Sequence, residues 1–165
     1  MNEVYTPPQS ELNFKNNGVM GIIDDLAHQG TFRLLVLSII TLGIYTAFYI
    51  KRQSEVINNY VDDSAKISKL LVNTIFALAI ISIPIFIIYF FVDDVQILTY
   101  LDYVGYVVDY LYIILSLVWA FKGRNRMNEL LGTQNNESNW FNGIWTFIFQ
   151  ELYFNYKVNT IKHSQ

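Results

Sequence analysis

The sequence predicts an all-α, polytopic integral membrane protein with about four hydrophobic helices. Hydrophobic residues make up 53% of the 165 residues and charged residues 15%, whereas an average soluble domain is about 25% charged. The apolar residues are concentrated in four long segments, and too little chain remains to cover all four in a soluble fold. The first and the last segment could be re-entrant or interfacial helices.

The chain begins with a polar stretch, residues 1–31, which we expect to form an N-terminal tail. It is acidic and contains two consecutive prolines, so it lacks the basic start and apolar run of a secretory signal. The sequence around Val19–Leu26 could form a short amphipathic helix. We expect the helical membrane domain to cover residues 32–158 and a short C-terminal tail to cover 159–165.

The four apolar segments differ in length and purity. They are Leu34–Ile50, Leu70–Val92, Val104–Phe121 and Trp140–Tyr156. The second is free of charge and would be about 34 Å long as a helix, enough to cross a hydrocarbon core of about 30 Å. The third contains Asp109, and the fourth is short, aromatic and contains Glu151. Pro84 lies within the second, where a membrane helix accommodates it as a kink.

The charges between the segments predict the orientation. Residues 51–69 and 122–139 carry Lys and Arg, whereas residues 93–103 carry three Asp residues and no basic residue. Basic residues in short loops stay on the cytoplasmic side of a membrane. We therefore expect 51–69 and 122–139 to be cytoplasmic and 93–103 to lie outside.

The positions of the two termini stay open at this point. Four complete spans would put both termini outside, together with Lys15, Lys157 and Lys162. Re-entrant or interfacial first and fourth segments would instead leave both termini inside, with every basic residue on the cytoplasmic side. The first segment is apolar enough to span, but it is also one of the two shortest.

Hydroxyl-bearing residues recur along the first segment. Ser38, Thr41, Tyr45 and Tyr49 would share one face of a continuous helix, and such stripes usually hydrogen-bond to other helices in lipid. We favour this packing interpretation over a substrate path. Gly43 lies between them and permits either a close helix contact or a bend that turns the segment back.

Asp109 is the strongest single candidate for an intramembrane functional residue. At helical spacing it shares one face of the third segment with other polar or small residues, which are Asp102, Gly105, Tyr106 and Ser116. An ionisable group at depth is costly and usually functional, although Asp109 is close to the acidic loop, where it could stay hydrated. If it lies deep, Tyr45, Tyr49 or Tyr106 could donate a hydrogen bond to it. We expect a structural or interfacial role for Asp109 more than a catalytic one.

Several function classes find no support in the sequence. The chain has no cysteine and a net charge of −3, which leaves no thiolate site and no basic surface for nucleic acid. No phosphate-binding glycine motif and no zinc-protease motif occurs. We therefore predict a protein that is not an enzyme, with no cofactor and no metal ligands.

The first segment and the residues that follow it resemble the signature of a known family. The run Ser38-Ile-Ile-Thr41-Leu-Gly43-Ile-Tyr45, an aromatic pair at Phe48-Tyr49 and then Lys51-Arg52 is similar to small bacterial membrane proteins catalogued as domain-of-unknown-function family 4234. The segments around Arg124–Asn128 and Thr146–Asn159 also resemble the family's longer members. The resemblance implies a bacterial inner-membrane location, but it implies no activity and no site residues.

Two functional hypotheses from different classes follow. The first is a small accessory or assembly subunit that lies in the lipid bilayer. It would act by helix–helix association with a membrane-protein partner or with further copies of itself. The second is an oligomeric small transporter or channel that uses Asp109 and the tyrosine and hydroxyl stripe. Uptake that disappears with Asp109→Asn would favour the second.

Overall fold

A computed structural model describes residues 20–135 and 137–164, in which every regular element is helical. The elements are α1 (20–26), α2 (Thr31–Ile40), α3 (Ile44–Tyr60), a 3₁₀ turn (Asp63–Ala65), α4 (Lys69–Ile88), α5 (Val95–Leu131) and α6 (Gly143–His163). The predicted N-terminal tail lies outside the described residues as far as residue 19. Helix α1 occupies the place of the short helix expected around Val19–Leu26.

Helices α4 and α5 are the long elements of the fold. Asp94 is the N-cap of α5, and its side chain accepts hydrogen bonds from the backbone N–H groups of Gln96 and Ile97. Two helical stretches, Asp63–Ile88 and Val95–Leu131, are long and apolar enough to cross a membrane, and only 22% and 17% of their most apolar parts are buried. Their apolar surface therefore faces outward, unlike that of a helix in a soluble core.

The first apolar segment is a helical hairpin and not one continuous helix. Leu42 and Gly43 have φ values of 51° and 87°, and this left-handed turn ends α2 with a 2.7 Å hydrogen bond from the Gly43 N–H to the Ser38 carbonyl. Helix α3 then runs back, so that Thr46 Oγ1 donates to Ser38 Oγ at 2.7 Å. We call α2, residues 41–43 and α3 the first hairpin. Of the two conformations expected for Gly43, the molecule adopts the bend.

The last apolar segment also turns back. Within α6, Gln150 has φ 43° and ψ −118°, which separates an arm at residues 143–149 from an arm at 151–163. The Asn142 N–H donates to the Tyr153 hydroxyl at 2.9 Å, and the rings of Phe141 and Phe154 lie 5.4 Å apart. A straight helix would hold these pairs at least about 16 Å apart along its axis. We call the two arms and Gln150 the second hairpin.

Several predicted loops are helical, and the boundaries need correction. Residues 95–103, assigned to the outer loop, form the first turns of α5, while residues 51–60 extend α3 and residues 122–131 extend α5. Hydropathy marks only the apolar part of a helix. These polar continuations are helical because one face of each packs on a neighbouring helix. Ile57 of α3 and Met127 of α5 lie on these faces and are fully buried.

The bases of the two hairpins pack together around a buried aromatic core. Trp119 of α5 contacts Phe154, with ring centroids 5.5 Å apart, and its indole N–H donates to Ser54 Oγ at 2.7 Å. Asn155 and Asn159 donate to the Gln29 carbonyl at 3.2 and 2.9 Å, joining the second hairpin to the start of the first.

The charged side chains divide the molecule into two ends. One is the acidic end, the turn between α4 and α5 that contains Asp93 and Asp94. The other is the basic end, where both hairpins open and α1 packs on α3 through a 2.6 Å hydrogen bond from the Tyr60 hydroxyl to Asp25. This bond raises the pKa of Tyr60. The described basic residues are at this end: Arg33, Lys51, Arg52, Lys66, Lys69, Lys122, Arg124, Arg126, Lys157 and Lys162.

Candidate functional site

A cavity of about 310 Å³ opens between α4 and α5, toward the acidic end. Asp102, Gly105, Tyr106 and Asp109 line its α5 side, which is the polar stripe that the helical spacing of the sequence indicates. Leu42, at the tip of the first hairpin, forms part of the lining as well. The structure thus brings Asp109 and Tyr106 together at one site.

The α4 wall of the cavity completes a polar rim. Ser82 and Tyr89 belong to it, and the Tyr89 hydroxyl donates a hydrogen bond to the Asp102 carboxylate. Asp109 is exposed at the cavity. The lining described contains two carboxylates and no basic side chain, so the site suits a cation or a hydrogen-bond donor better than an anion.

Three hydroxyl residues of the first segment, Ser38, Thr41 and Tyr45, do not line this cavity and bond within the first hairpin or to the residues just before it. Ser38 Oγ and Thr41 Oγ1 each donate at 2.7 Å to a carbonyl one turn back in α2. The backbone N–H of Tyr45 donates to Thr41 Oγ1 at 2.9 Å, and the Tyr45 hydroxyl donates to Gln29. These side chains hold the turn at Gly43, and none of the described bonds joins them to Asp109.

Tyr49 occupies a different buried environment, which the sequence reasoning did not identify as a site. Its hydroxyl is buried and has no hydrogen-bond partner among the described residues, and the same holds for Ser116 Oγ on α5. Glu151 lies directly after the break in α6, in the aromatic segment that packs on α5. The sequence signal that could have drawn attention to Glu151 is a carboxylate within an apolar, aromatic segment.

The chemistry available at the cavity is that of its polar side chains. The part of the chain that the structure describes contains no group of three His, Asp or Glu side chains able to hold a metal ion. The cavity groups are carboxylates, phenols and one hydroxyl, which can bind a cation or meet another helix.

The described fold is therefore all-helical. The first and second hairpins pack against two long apolar helices, α4 and α5, at the basic end. The model of the family described as "Domain of unknown function (DUF4234)" matches residues 29–129, and the chain belongs to this family. The matched range begins just before the first hairpin and ends near the end of α5, so the resemblance of the Ser38–Tyr49 motif is confirmed. No curated protein and no solved structure matches the chain.

Proposed function

We propose that the chain is a polytopic protein of the bacterial cytoplasmic membrane that acts without catalysis, as an accessory or assembly subunit. In this arrangement α4 and α5 cross the bilayer, and the two hairpins enter it from the cytoplasmic side. The outward apolar surface of α4 and α5 supports the two spans. The family resemblance supports the bacterial location.

The separation of charges supports the orientation. The described basic residues lie at one end of the molecule, and the turn at the other end carries Asp93 and Asp94. The positive-inside rule then assigns the basic end to the cytoplasm. Both hairpins open at this end, so α1 and the last residues of α6 also lie on the cytoplasmic side.

The outward face of α5 is the observation that carries the accessory role. Tyr100, Tyr103 and Tyr110 recur at helical spacing and expose 73%, 68% and 66% of their surfaces. Phenol hydroxyls on a spanning helix are stabilised by hydrogen bonds across a helix interface. We therefore expect this face to bind another membrane helix.

Site-specific photo-crosslinking in native membranes tests this role. A photoreactive residue in place of Tyr103 or Tyr110 should give one discrete product, whose mass identifies either a second copy or a different subunit. Ile80 of α4 is also outward-facing, with 40% of its surface exposed, and provides the matched control that should crosslink mainly to lipid. Equal crosslinking to many proteins from all three positions would contradict the proposal.

Transport of a small cation is the second candidate function, and the cavity favours it. Asp102 and Asp109 share a cavity that reaches from near the acidic end to Leu42. The two spans cannot enclose a pore alone, so transport would require several copies. Uptake of a monovalent cation into liposomes should then be abolished by Asp109→Asn and kept in Asp93→Asn, which neutralises a carboxylate outside the cavity. Absence of uptake by the wild-type oligomer would exclude this candidate.

A further inference from the structure

We propose that the protein is wedge-shaped within the bilayer, because both hairpins occupy the same leaflet. It should therefore prefer membranes that are convex on the side of its basic end. This inference rests on the proposed membrane arrangement. Its physical basis is the depth of each hairpin relative to the two long helices, which the contacts and the charges fix independently.

The contacts of the first hairpin give its depth. The carbonyl of Gly43, at the tip, lies 3.4 Å from the Tyr112 hydroxyl of α5, and the neighbouring Leu42 faces the cavity beside Ser82 and Asp109. Ser82 lies near the middle of the apolar segment Leu70–Val92, and Asp109 lines the same cavity from α5. The tip therefore ends close to the bilayer midplane.

The second hairpin lies along the same helix. Phe154, four residues after the break, contacts Trp119 of α5 with ring centroids 5.5 Å apart, so the break lies about one turn further from the basic end than this contact. Phe154 also packs on Gly123, where an added Cβ would come within 3.2 Å of the phenylalanine ring. The arm after the break therefore descends along α5 toward the basic end.

The positions of the charges agree with these depths. Arg33 precedes the apolar part of α2 and Lys51 follows that of α3, which leaves about seven apolar residues in each arm, or about 10 Å of helix. In the second hairpin, Lys157 ends the descending arm after a similar length. An arm of about 10 Å fits within one leaflet of a hydrocarbon core about 30 Å thick.

The surfaces of the tips are suited to lipid. Ile39 and Ile40 of the first hairpin expose 67% and 70% of their surfaces, and Phe147 and Ile148 of the second expose 62% and 54%. Apolar arms bounded by cationic residues are typical of helices that insert among anionic headgroups and acyl chains. The occupant of this surface is therefore the lipid of the cytoplasmic leaflet.

The two leaflets consequently hold different amounts of protein. Of the described helices, α4 and α5 alone enter the outer leaflet, whereas the cytoplasmic leaflet contains α4, α5 and four hairpin arms. Each arm is about 10 Å across, so the four add roughly 300 Å² of cross-section to one leaflet. Protein that expands one leaflet stabilises curvature that is convex on that side, and interfacial helices show such curvature dependence.

The test reconstitutes the full-length protein into vesicles of different radius and measures the number of molecules per unit of membrane area. The vesicles consist of zwitterionic lipid with a minority of anionic lipid. Ser138→Cys gives a single labelling site at the basic end, since the chain has no other cysteine. An impermeant quencher identifies molecules whose basic end faces outward. We expect these molecules to be enriched about twofold or more per unit area on the smallest vesicles.

Two matched variants separate the wedge from general hydrophobicity. The double variant F147S/I148S should lose most of the enrichment, while F90S/F91S, which removes exposed rings near the acidic end, should retain it. Equal density on all radii, in a protein that alkaline carbonate does not extract, would overturn the wedge and leave the membrane arrangement intact. Extraction by carbonate would overturn the arrangement itself.

Discussion

Gly43 occupies the position where the direction of the chain depends most on a single residue. Its φ of 87° lies in the left-handed region, where a side chain clashes with the following carbonyl and costs about 1–2 kcal/mol. Leu42 before it is also left-handed, so two successive residues turn the chain. Ser38 and Thr46, which bond to each other, hold the two arms at this turn.

Gly43→Ala should lower the free energy of unfolding by about 1 kcal/mol, because alanine resists the positive φ. Gly30→Ala is the matched control. Gly30 has φ −69°, and an added Cβ would meet no atom within 4 Å, so alanine should fit there and slightly stabilise the chain. Thermal unfolding of both variants in the same detergent measures the difference. A Gly43→Ala variant as stable as Gly30→Ala would show that the turn tolerates a side chain.

Trp119 and Ser54 form the buried polar pair at the centre of the core. Trp119 is fully buried, Ser54 is 2% exposed, and their hydrogen bond is 2.7 Å long. Ser54→Ala should leave the indole N–H without an acceptor and reduce the free energy of unfolding by about 1–3 kcal/mol.

Adding Trp119→Phe to Ser54→Ala removes the donor as well. The double variant should therefore lose less stability than the sum of the two single variants, which denaturant titration of all four proteins can measure. Strictly additive losses would mean that the hydrogen bond contributes nothing to stability.

At the scale of elements, Asn128 ties the connection between α5 and α6 to the end of α5. Its side chain accepts from the Phe141 N–H at 2.8 Å and donates to the Phe141 carbonyl at 3.2 Å. Arg124 donates to the same carbonyl at 2.8 Å. These bonds fix where the second hairpin begins.

Asn128→Asp should loosen this connection, because a carboxylate cannot donate to the Phe141 carbonyl and is repelled by it. The expected loss is about 1–3 kcal/mol, with faster proteolysis of residues 132–142. Asn125→Asp is the control, since Asn125 is exposed and its oxygen, which accepts from Arg124, is retained by aspartate. Equal proteolysis of both variants would exclude a role for Asn128 in holding the segment.

The helical elements could be predicted from the sequence to different extents. The second apolar segment corresponds to α4 because a long uncharged run permits little else. The length of α5 was underestimated, since Lys122 and Arg126 look like loop residues until α6 and α3 pack beside them. The turn at Gly43 was one of two conformations expected, and the break at Gln150 had no signal, because glutamine is an ordinary helix residue.

The candidate site was predictable in part for a similar reason. Helical spacing alone grouped Asp102, Tyr106 and Asp109 on α5, and the cavity contains all three. Spacing along one helix could not indicate Ser82 on α4 or Tyr89 directly after it. Those contacts join distant parts of the chain and depend on how the helices pack.

At the scale of the whole molecule, the arrangement predicts which positions share a side of the membrane. Cysteine at Ser138 or Ser164 should react with an impermeant maleimide only after the inner membrane is opened, whereas cysteine at Asp93 should react in intact cells. The cysteine-free wild-type chain is the background control. Labelling of Ser164→Cys in intact cells would mean that α6 crosses the membrane completely.

The two hairpins also bear on how such a chain enters a membrane. In the proposed arrangement each hairpin returns to the side from which it starts, so neither carries a polar segment across the bilayer. Of the described polar segments, only the short turn between α4 and α5, with Asp93 and Asp94, would then pass through. Insertion of the described chain would amount to moving one small acidic turn to the outer surface, while its other polar segments stay in the compartment in which they were synthesised.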